Sequence, residues 1–221
     1  MSTVEKLDRL IADQLKAELT GAILIGREII VVEETSSTND VILQFSSAQI
    51  ARPAPEGLVL FAEHQTSGRG QRGNRWESTK GKGLWFSILL RPGIQLSHSG
   101  RLTIWAIKGI SETIRTVFDV EPVIKLPNDI QLFGRKVAGV LVEMRAQKNA
   151  PHLAVVGVGI NVNQSCDDLP VELRDRAISL ATAIGRKVDR QKFAVALLQN
   201  LDLAYRDEFS KAAVAEGAAR S

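Results

Sequence analysis

Gly134-Arg135-Lys136-Val137-Ala138-Gly139-Val140-Leu141-Val142-Glu143-Met144-Arg145 opens on a turn dipeptide and runs on as an aliphatic, β-branched segment, which predicts a strand over Val137–Arg145. Outward from it, Val123–Leu126 and Ile130–Leu132 precede and Leu153–Val162 follows, with breaks at Asn128-Asp129, Gly134-Arg135 and Lys148-Asn149-Ala150-Pro151. Short apolar runs separated by turn residues predict an antiparallel meander. Farther upstream, Ile30–Val32, Leu58–Ala62 and Leu84–Leu90 also read as strands. Leu7, Leu10, Ile11, Leu15 and Leu19 recur at helical spacing up to Thr20-Gly21. Leu102 to Phe118 marks a long core-facing helix, and Phe193 to Tyr205 a last one before an alanine-rich tail expected to fray. The expected class is α+β, a mixed and largely antiparallel sheet packed with helices. The expected organisation is a single domain over 1–221, with a core at about 22–185 and a C-terminal helix over 188–210.

The chain has 221 residues, 44% of them hydrophobic, which suits one globular domain. A net charge of +3 permits anionic ligands but lacks the strong basic stripe expected of a nucleic-acid binder. The single cysteine, Cys166, excludes an internal disulfide framework and fits a reducing compartment. Beside Asp167 and Asp168 it makes a poor catalytic thiol. Charge interrupts the apolar residues of the N-terminus, so no signal peptide is expected, and no segment is long and apolar enough to span a membrane. The expected location is cytoplasmic.

Between two of the strands lies Gly68-Arg69-Gly70-Gln71-Arg72-Gly73-Asn74-Arg75-Trp76, with three glycines, three arginines and an aromatic. Glycines let backbone N–H groups turn toward an anion, and guanidinium forks add bidentate positive charge. Taken alone, the loop also fits a solvated basic turn or an RNA-contacting segment. In chain order the sequence further carries Ser36-Ser37-Thr38-Asn39, Lys125-Leu126-Pro127-Asn128-Asp129, the Gly134–Glu143 stretch and Gly157-Val158-Gly159-Ile160-Asn161-Val162-Asn163. Together these blocks, from about Glu33 to about Asn163, resemble the catalytic domain of biotin–protein ligases, whose fold is related to the class II synthetases.

That resemblance implies an enzyme that attaches biotin to a lysine of a biotin carboxyl carrier protein, a carboxylase component, using ATP and Mg²⁺ and passing through biotinoyl-5′-AMP. It assigns biotin contacts to Ser37, Thr38, Asn39, Gln65, Gly68, Arg69, Gly70, Gln71, Lys136, Gly139, Leu141, Gly157 and Gly159. ATP contacts fall to Arg69, Arg72, Trp76, Lys125, Asn128, Lys136 and Asn161, with Asp129 as a magnesium ligand. Lys136 is implied as the catalytic residue, assisted by Arg69. Many family members carry arginine where this chain has Gln71, which holds a phosphate without charge assistance, and most carry tryptophan where it has Leu126. Regulatory members have an N-terminal helix-turn-helix and many have a C-terminal β-barrel; neither pattern is legible here, so no operator binding is expected. Relatives pair through sheet edges, which leaves a homodimer open.

The residues themselves allow plainer roles. Ser37 with Asp40 three positions later is close to a capping box. Lys136 reads as a turn lysine on a strand edge, and Asn128-Asp129 after Pro127 as an ordinary turn. Gly139, Gly157 and Gly159 are unfavourable inside strands unless a ligand or another backbone comes close. Two other functions compete with the ligase: lipoate or octanoate transfer on a related fold, and a nucleic-acid-binding module using Arg69, Arg72, Arg75 and Trp76.

Overall fold

Every strand of this chain must satisfy two faces, and the order of its elements shows how. The computed structural model describes residues 8–45, 54–148 and 150–210. In chain order the elements are α1 (Ala12–Glu18), β1 (Ile29–Thr35), α2 (Thr38–Phe45), β2 (Val59–Gln65), β3 (Gly83–Leu90) and α3 (Gly100–Phe118). There follow β4 (Val123–Lys125), β5 (Asp129–Leu132), β6 (Arg135–Arg145), β7 (Leu153–Asn161), α4 (Leu180–Ile184) and α5 (Arg190–Tyr205), the last running into a π-turn over Arg206–Ser210. The sheet has the order β1-β2-β3-β7-β6-β5-β4. Among the strands of the described residues only β1 and β2 pair in parallel, so the mixed, largely antiparallel sheet and the meander from β4 to β7 are as expected.

Side chains alternate across a strand. On one face Phe61, Phe86, Ile88, Val156, Val158 and Val140 join Trp105, Ile110 and Ile114 of α3 and Phe193, Leu197 and Leu201 of α5 in the main core. On the other, Leu60, Leu89, Leu153 and Val155 pack under Ile42 and Leu43 of α2, covering one end of the sheet. The rest of that second face, where β6 and β7 carry Gly139, Gly157 and Gly159, is left for the site. Tyr205 closes the main core at the C-terminal side, its hydroxyl donating to Glu56 Oε1 at 3.1 Å. Burial and the Glu56 carboxylate push its phenol far above its ordinary pKa, so it stays a donor.

Three details differ from the sequence-based expectation. The first helix begins only at Ala12, because the chain before it serves as a strap. Leu10 N–H donates to Glu63 Oε1 at 2.8 Å, and Arg190 reaches both the Asp8 carboxylate, at 3.2 Å, and the Asp8 carbonyl. Ile11 is consequently exposed, and Leu7 lies outside the described residues, as does the alanine-rich tail. Strand β4 ends at Lys125, one residue short of the expected Leu126, which is exposed beside a cis Leu126–Pro127 bond. Helix α4, capped by Ser179 Oγ accepting from Thr182 N–H, was too short to show a period.

Arg190 is fully buried at the start of α5, donating to Glu63 Oε2 at 2.8 Å and to the Gly83 carbonyl at 3.0 Å. Removing it strands the buried Glu63 carboxylate. Arg190→Met is therefore expected to cost about 3–5 kcal/mol in urea unfolding, with much of the loss recovered in the Glu63→Gln/Arg190→Met double variant.

Candidate active site

The floor of the site is made of absent side chains. Gly139 pairs with Gly159 across β6 and β7, and Leu141 with Gly157, so three glycines face the same open side. A Cβ on Gly159 would lie 2.4 Å from Trp76 Cε2, and one on Gly139 would lie 2.9 Å from Trp76 Cζ3. One on Gly157 would lie 2.3 Å from Asn39 Oδ1. The glycines thus admit side chains of this same chain, where the sequence had suggested a ligand or a backbone.

Helix α2 forms one wall. Thr38 N–H and Oγ1 donate to Gln65 Oε1 at 2.9 and 3.1 Å, so the end of β2 supplies the acceptor for this helix start. Asp40, expected to complete a capping box, is engaged by Arg69 instead. Asn39 Nδ2 donates to Glu143 Oε2 at 2.7 Å, while Ser87 Oγ lies 2.5 Å from Asn39 Oδ1 and 2.7 Å from Thr38 Oγ1. Ser37, Thr38 and Asn39 are all buried, a polar cluster against an otherwise apolar sheet.

The 68–76 loop forms the opposite wall and is a closed unit. Gly70 N–H donates to the Asn74 carbonyl at 2.7 Å, and Trp76 N–H to the Gly68 carbonyl at 2.9 Å. Gly68 is needed there, since a Cβ would meet the Trp76 carbonyl at 2.5 Å. Arg72 adopts φ +57°, a strained conformation for a residue with a side chain. It is exposed and has no hydrogen-bond or ion-pair partner among the described residues. Arg75 pairs with Glu77 at 3.2 Å.

Lys136 reaches the pocket because of a β-bulge. Ile130 pairs with Ala138 but Gln131 with Lys136, so Val137 is the extra residue on β6. Strict alternation with Ala138 and Val140 would turn Lys136 toward the helices; the bulge re-aims it to the glycine face. Its Nζ lies 2.6 Å from Asp129 Oδ1 and 5.1 Å from the Trp76 ring centroid. Asn128 is fastened to β6 by its carbonyl, which accepts from Val140 N–H, and by its Nδ2, which donates to the Val140 carbonyl at 2.9 Å.

These walls enclose a cavity of about 200 Å³. Ser37, Thr38, Asn39, Gln65, Arg69, Gly70, Gln71, Arg72, Trp76, Asn128, Asp129, Lys136, Gly139, Leu141, Gly157 and Gly159 all line it. A second cavity of about 550 Å³ adjoins it and takes in Lys125 and Asn161. Asn74, Arg75, Trp76, Asp129 and Lys136 line both, so the two meet at the Trp76–Lys136 pair. Of the expected site residues, only Gly68 lines neither. Leu169, Leu173 and Arg176 cover the larger cavity. This cover is tied down by the Lys136 N–H bond to the Arg176 carbonyl, at 2.8 Å, and by Lys82 Nζ on Asp168 Oδ2, at 2.7 Å. Burial raises the pKa of Asp168, but the bonds from Lys82 and Ser165 outweigh it and hold the carboxyl below its usual value.

Sequence reasoning missed Ser87, Glu143 and Asn74 as parts of the site. The readable signals were a polar Ser87 inside Leu84–Leu90 and a charged Glu143 inside Val137–Arg145. Among the described residues no three His, Cys, Asp or Glu side chains are grouped to hold a metal ion. Asp129 and Asn128 Oδ1, which has no partner among the described residues, would suit an ion that brings most of its ligands with it.

The family model described as biotin/lipoate A/B protein ligase matches residues 31–161. The chain belongs to this family. It is 38% identical over 193 residues to the bifunctional ligase/repressor BirA of Bacillus spizizenii, covering 87% of this chain and 57% of that protein. To the biotin–[acetyl-CoA-carboxylase] ligase of Mycobacterium tuberculosis it is 34% identical over 193 residues, covering 85% and 68%. The Aquifex aeolicus biotin protein ligase, solved with biotin and ATP, superimposes with a TM-score of 0.70 at 30% identity, covering 84% of this chain and 73% of that one. The fold of the biotin/lipoate ligases is therefore the fold of this chain, as the five sequence blocks implied. The chain spans little more than half the length of the Bacillus relative.

The glycine floor yields a test. Gly159→Ala is expected to push Trp76 off the sheet, moving tryptophan emission to longer wavelength while stability stays within about 1 kcal/mol in urea titration. Unchanged emission would mean that Trp76 does not rest there.

Proposed function

We propose that this chain joins biotin to a lysine of a biotin carboxyl carrier protein in two steps, consuming ATP. The observation that supports this most is the pair of cavities meeting at Lys136 and Trp76, because the chemistry needs a carboxylate and an α-phosphate brought together at one point. Names of relatives such as the biotin–[acetyl-CoA-carboxylase] ligases suggest the acceptor, a carboxylase component.

In the first step a biotin carboxylate oxygen attacks the α-phosphorus, the bond to the bridging oxygen breaks, and pyrophosphate leaves with that electron pair. Two anions must approach, and each unit-charge pair at about 4 Å opposes this by roughly 4 kcal/mol in a surface-like dielectric. The Lys136 ammonium, held by Asp129 and aimed by the bulge, offsets that repulsion and gains strength as charge builds on the phosphate. Arg72, with no carboxylate on it, is the loop cation free to meet the triphosphate. Magnesium carried on the phosphates would supply further charge neutralisation beside Asp129 and Asn128.

The smaller cavity suits the ureido ring. Gln65 Nε2 has no partner among the described residues and offers a donor, and Ser37, Thr38 and Asn39 add hydroxyl and amide groups. Trp76 Nε1 is likewise buried without a partner, a donor left at the border of the larger, nucleotide-sized cavity. Leu141 and the Trp76 ring seated over Gly139 and Gly159 give the flat apolar surface that a bicycle needs. In the second step the acceptor lysine amine attacks the biotinoyl carbonyl and AMP departs, the amine proton passing to solvent or to the phosphate.

Lys136→Ala is expected to lower biotin-dependent pyrophosphate release by roughly 10²–10³-fold, the usual cost of removing one transition-state electrostatic group. Its circular dichroism should match wild type. Equal pyrophosphate release with lipoate in place of biotin would move the assignment to lipoate transfer.

A further inference from the structure

The expected role of Arg69 was to present charge to the nucleotide, but its guanidinium is already taken. Nη1 donates to Glu143 Oε1 at 3.1 Å and Nη2 to Glu143 Oε2 at 2.6 Å, a bidentate grip, while Nη2 also reaches Asp40 Oδ1 at 2.7 Å. Two carboxylates on one cation leave this cluster net negative, so it would repel a phosphate. We infer that the Arg69–Asp40–Glu143 cluster is a clasp that holds the 68–76 loop shut over the site and, through Glu143, sets the Asn39 amide for its ligand.

The loop itself supports this. Its bonds between Gly70 and Asn74 and between Gly68 and Trp76, with the bridge between Arg69 and Arg75, make it move as one piece. Fastening it at one residue therefore fastens all of it. The clasp joins the loop to α2 through Asp40 and to β6 through Glu143, and Trp76 rests on the glycine floor as the second fastening. When the loop lifts, Asp40 and Glu143 lose the cation that screens them from each other, which favours reclosure. Asp40 also lies in the first turn of α2, where a carboxylate is welcome whether or not Arg69 is present.

Glu143 Oε2 receives Arg69 Nη2 and Asn39 Nδ2 together, and the other end of the Asn39 amide is set by Ser87 Oγ. The amide is thus fixed oxygen toward β3 and nitrogen toward β6 only while Glu143 is oriented by Arg69. Arg69, Asp40 and Glu143 are positioning residues: they act through the loop and through Asn39. Within the ligase reading above, on which this consequence rests, the clasp retains biotinoyl-adenylate until an acceptor arrives.

Two measurements test the clasp separately from the chemistry. In the ligand-free full chain, amide hydrogen exchange over the 68–76 segment is expected to quicken roughly tenfold in Asp40→Asn, as for loss of one charge-assisted bond at a partly exposed site. The rest of the sheet should exchange as in wild type. Glu34→Gln, which removes a carboxylate paired with His64 elsewhere on the surface, should leave the segment unchanged. Arg69→Met is the second variant, and in combination with Asp40→Asn it should add little beyond the larger single effect. With biotin and ATP, the share of adenylate recovered in the filtrate per pyrophosphate released should rise roughly tenfold in Asp40→Asn, and wild-type escape should rise with salt. Unaltered exchange in both Asp40→Asn and Arg69→Met overturns the clasp. Faster exchange with no adenylate formed by wild type supports the clasp as the closing device and overturns the ligase reading instead.

Discussion

β6 and β7 have to be two things at once, and most of the molecule is arranged around that demand. Toward α3 and α5 they present Val140, Val156, Val158 and Ile160, a continuous apolar layer that anchors the sheet. On the other face the same strands present Gly139, Gly157 and Gly159. Glycine within a strand costs stability and packs nothing. That deficit is tolerable only because the opposite face is so fully buried and because the flanking pairings, β7 with β3 and β6 with β7, run the length of the strands. Stability is concentrated on one side so that the other can stay bare.

The buried Arg190 cluster extends the same division of labour. It gathers the N-terminal strap, β2, β3 and α5 at one point on the helix side. Buried ion pairs are weak contributors to net stability against an apolar replacement, yet they tolerate only one geometry. Here that geometry fixes how the strap at Asp8 and the start of α5 meet β2 and β3. The Asp202 carboxylate does likewise for the turn before β1, accepting from the N–H groups of Ile23, Leu24 and Ile25.

Much of this was legible in the residues. The meander followed from Asn128-Asp129 and Gly134-Arg135 punctuating β-branched runs, and α3 from its regular apolar spacing. Leu10 and Ile11 misled because a strap of alternating burial resembles a helix over so short a span, and its partners, Glu63 and Arg190, are remote in sequence. The site blocks were visible as blocks, but their relations were not. Nothing in the local pattern of β6 announces the bulge at Val137, which depends on how β5 pairs. Nor could composition tell that Arg69 would be spent on carboxylates while Arg72, three positions on, would be left free. Those are long-range facts of charge pairing, invisible to periodicity.

The bare floor carries a consequence for how such a protein can change over generations. A wall made of side chains can be altered one residue at a time, each step trading one shape for another. A floor made of missing side chains offers no such steps, because every replacement at Gly157 or Gly159 drives into Asn39 or Trp76. In this chain the shape of the pocket is therefore open to change through side chains of α2, the end of β2, the arginine loop and Leu141, and closed to it at Gly157 and Gly159.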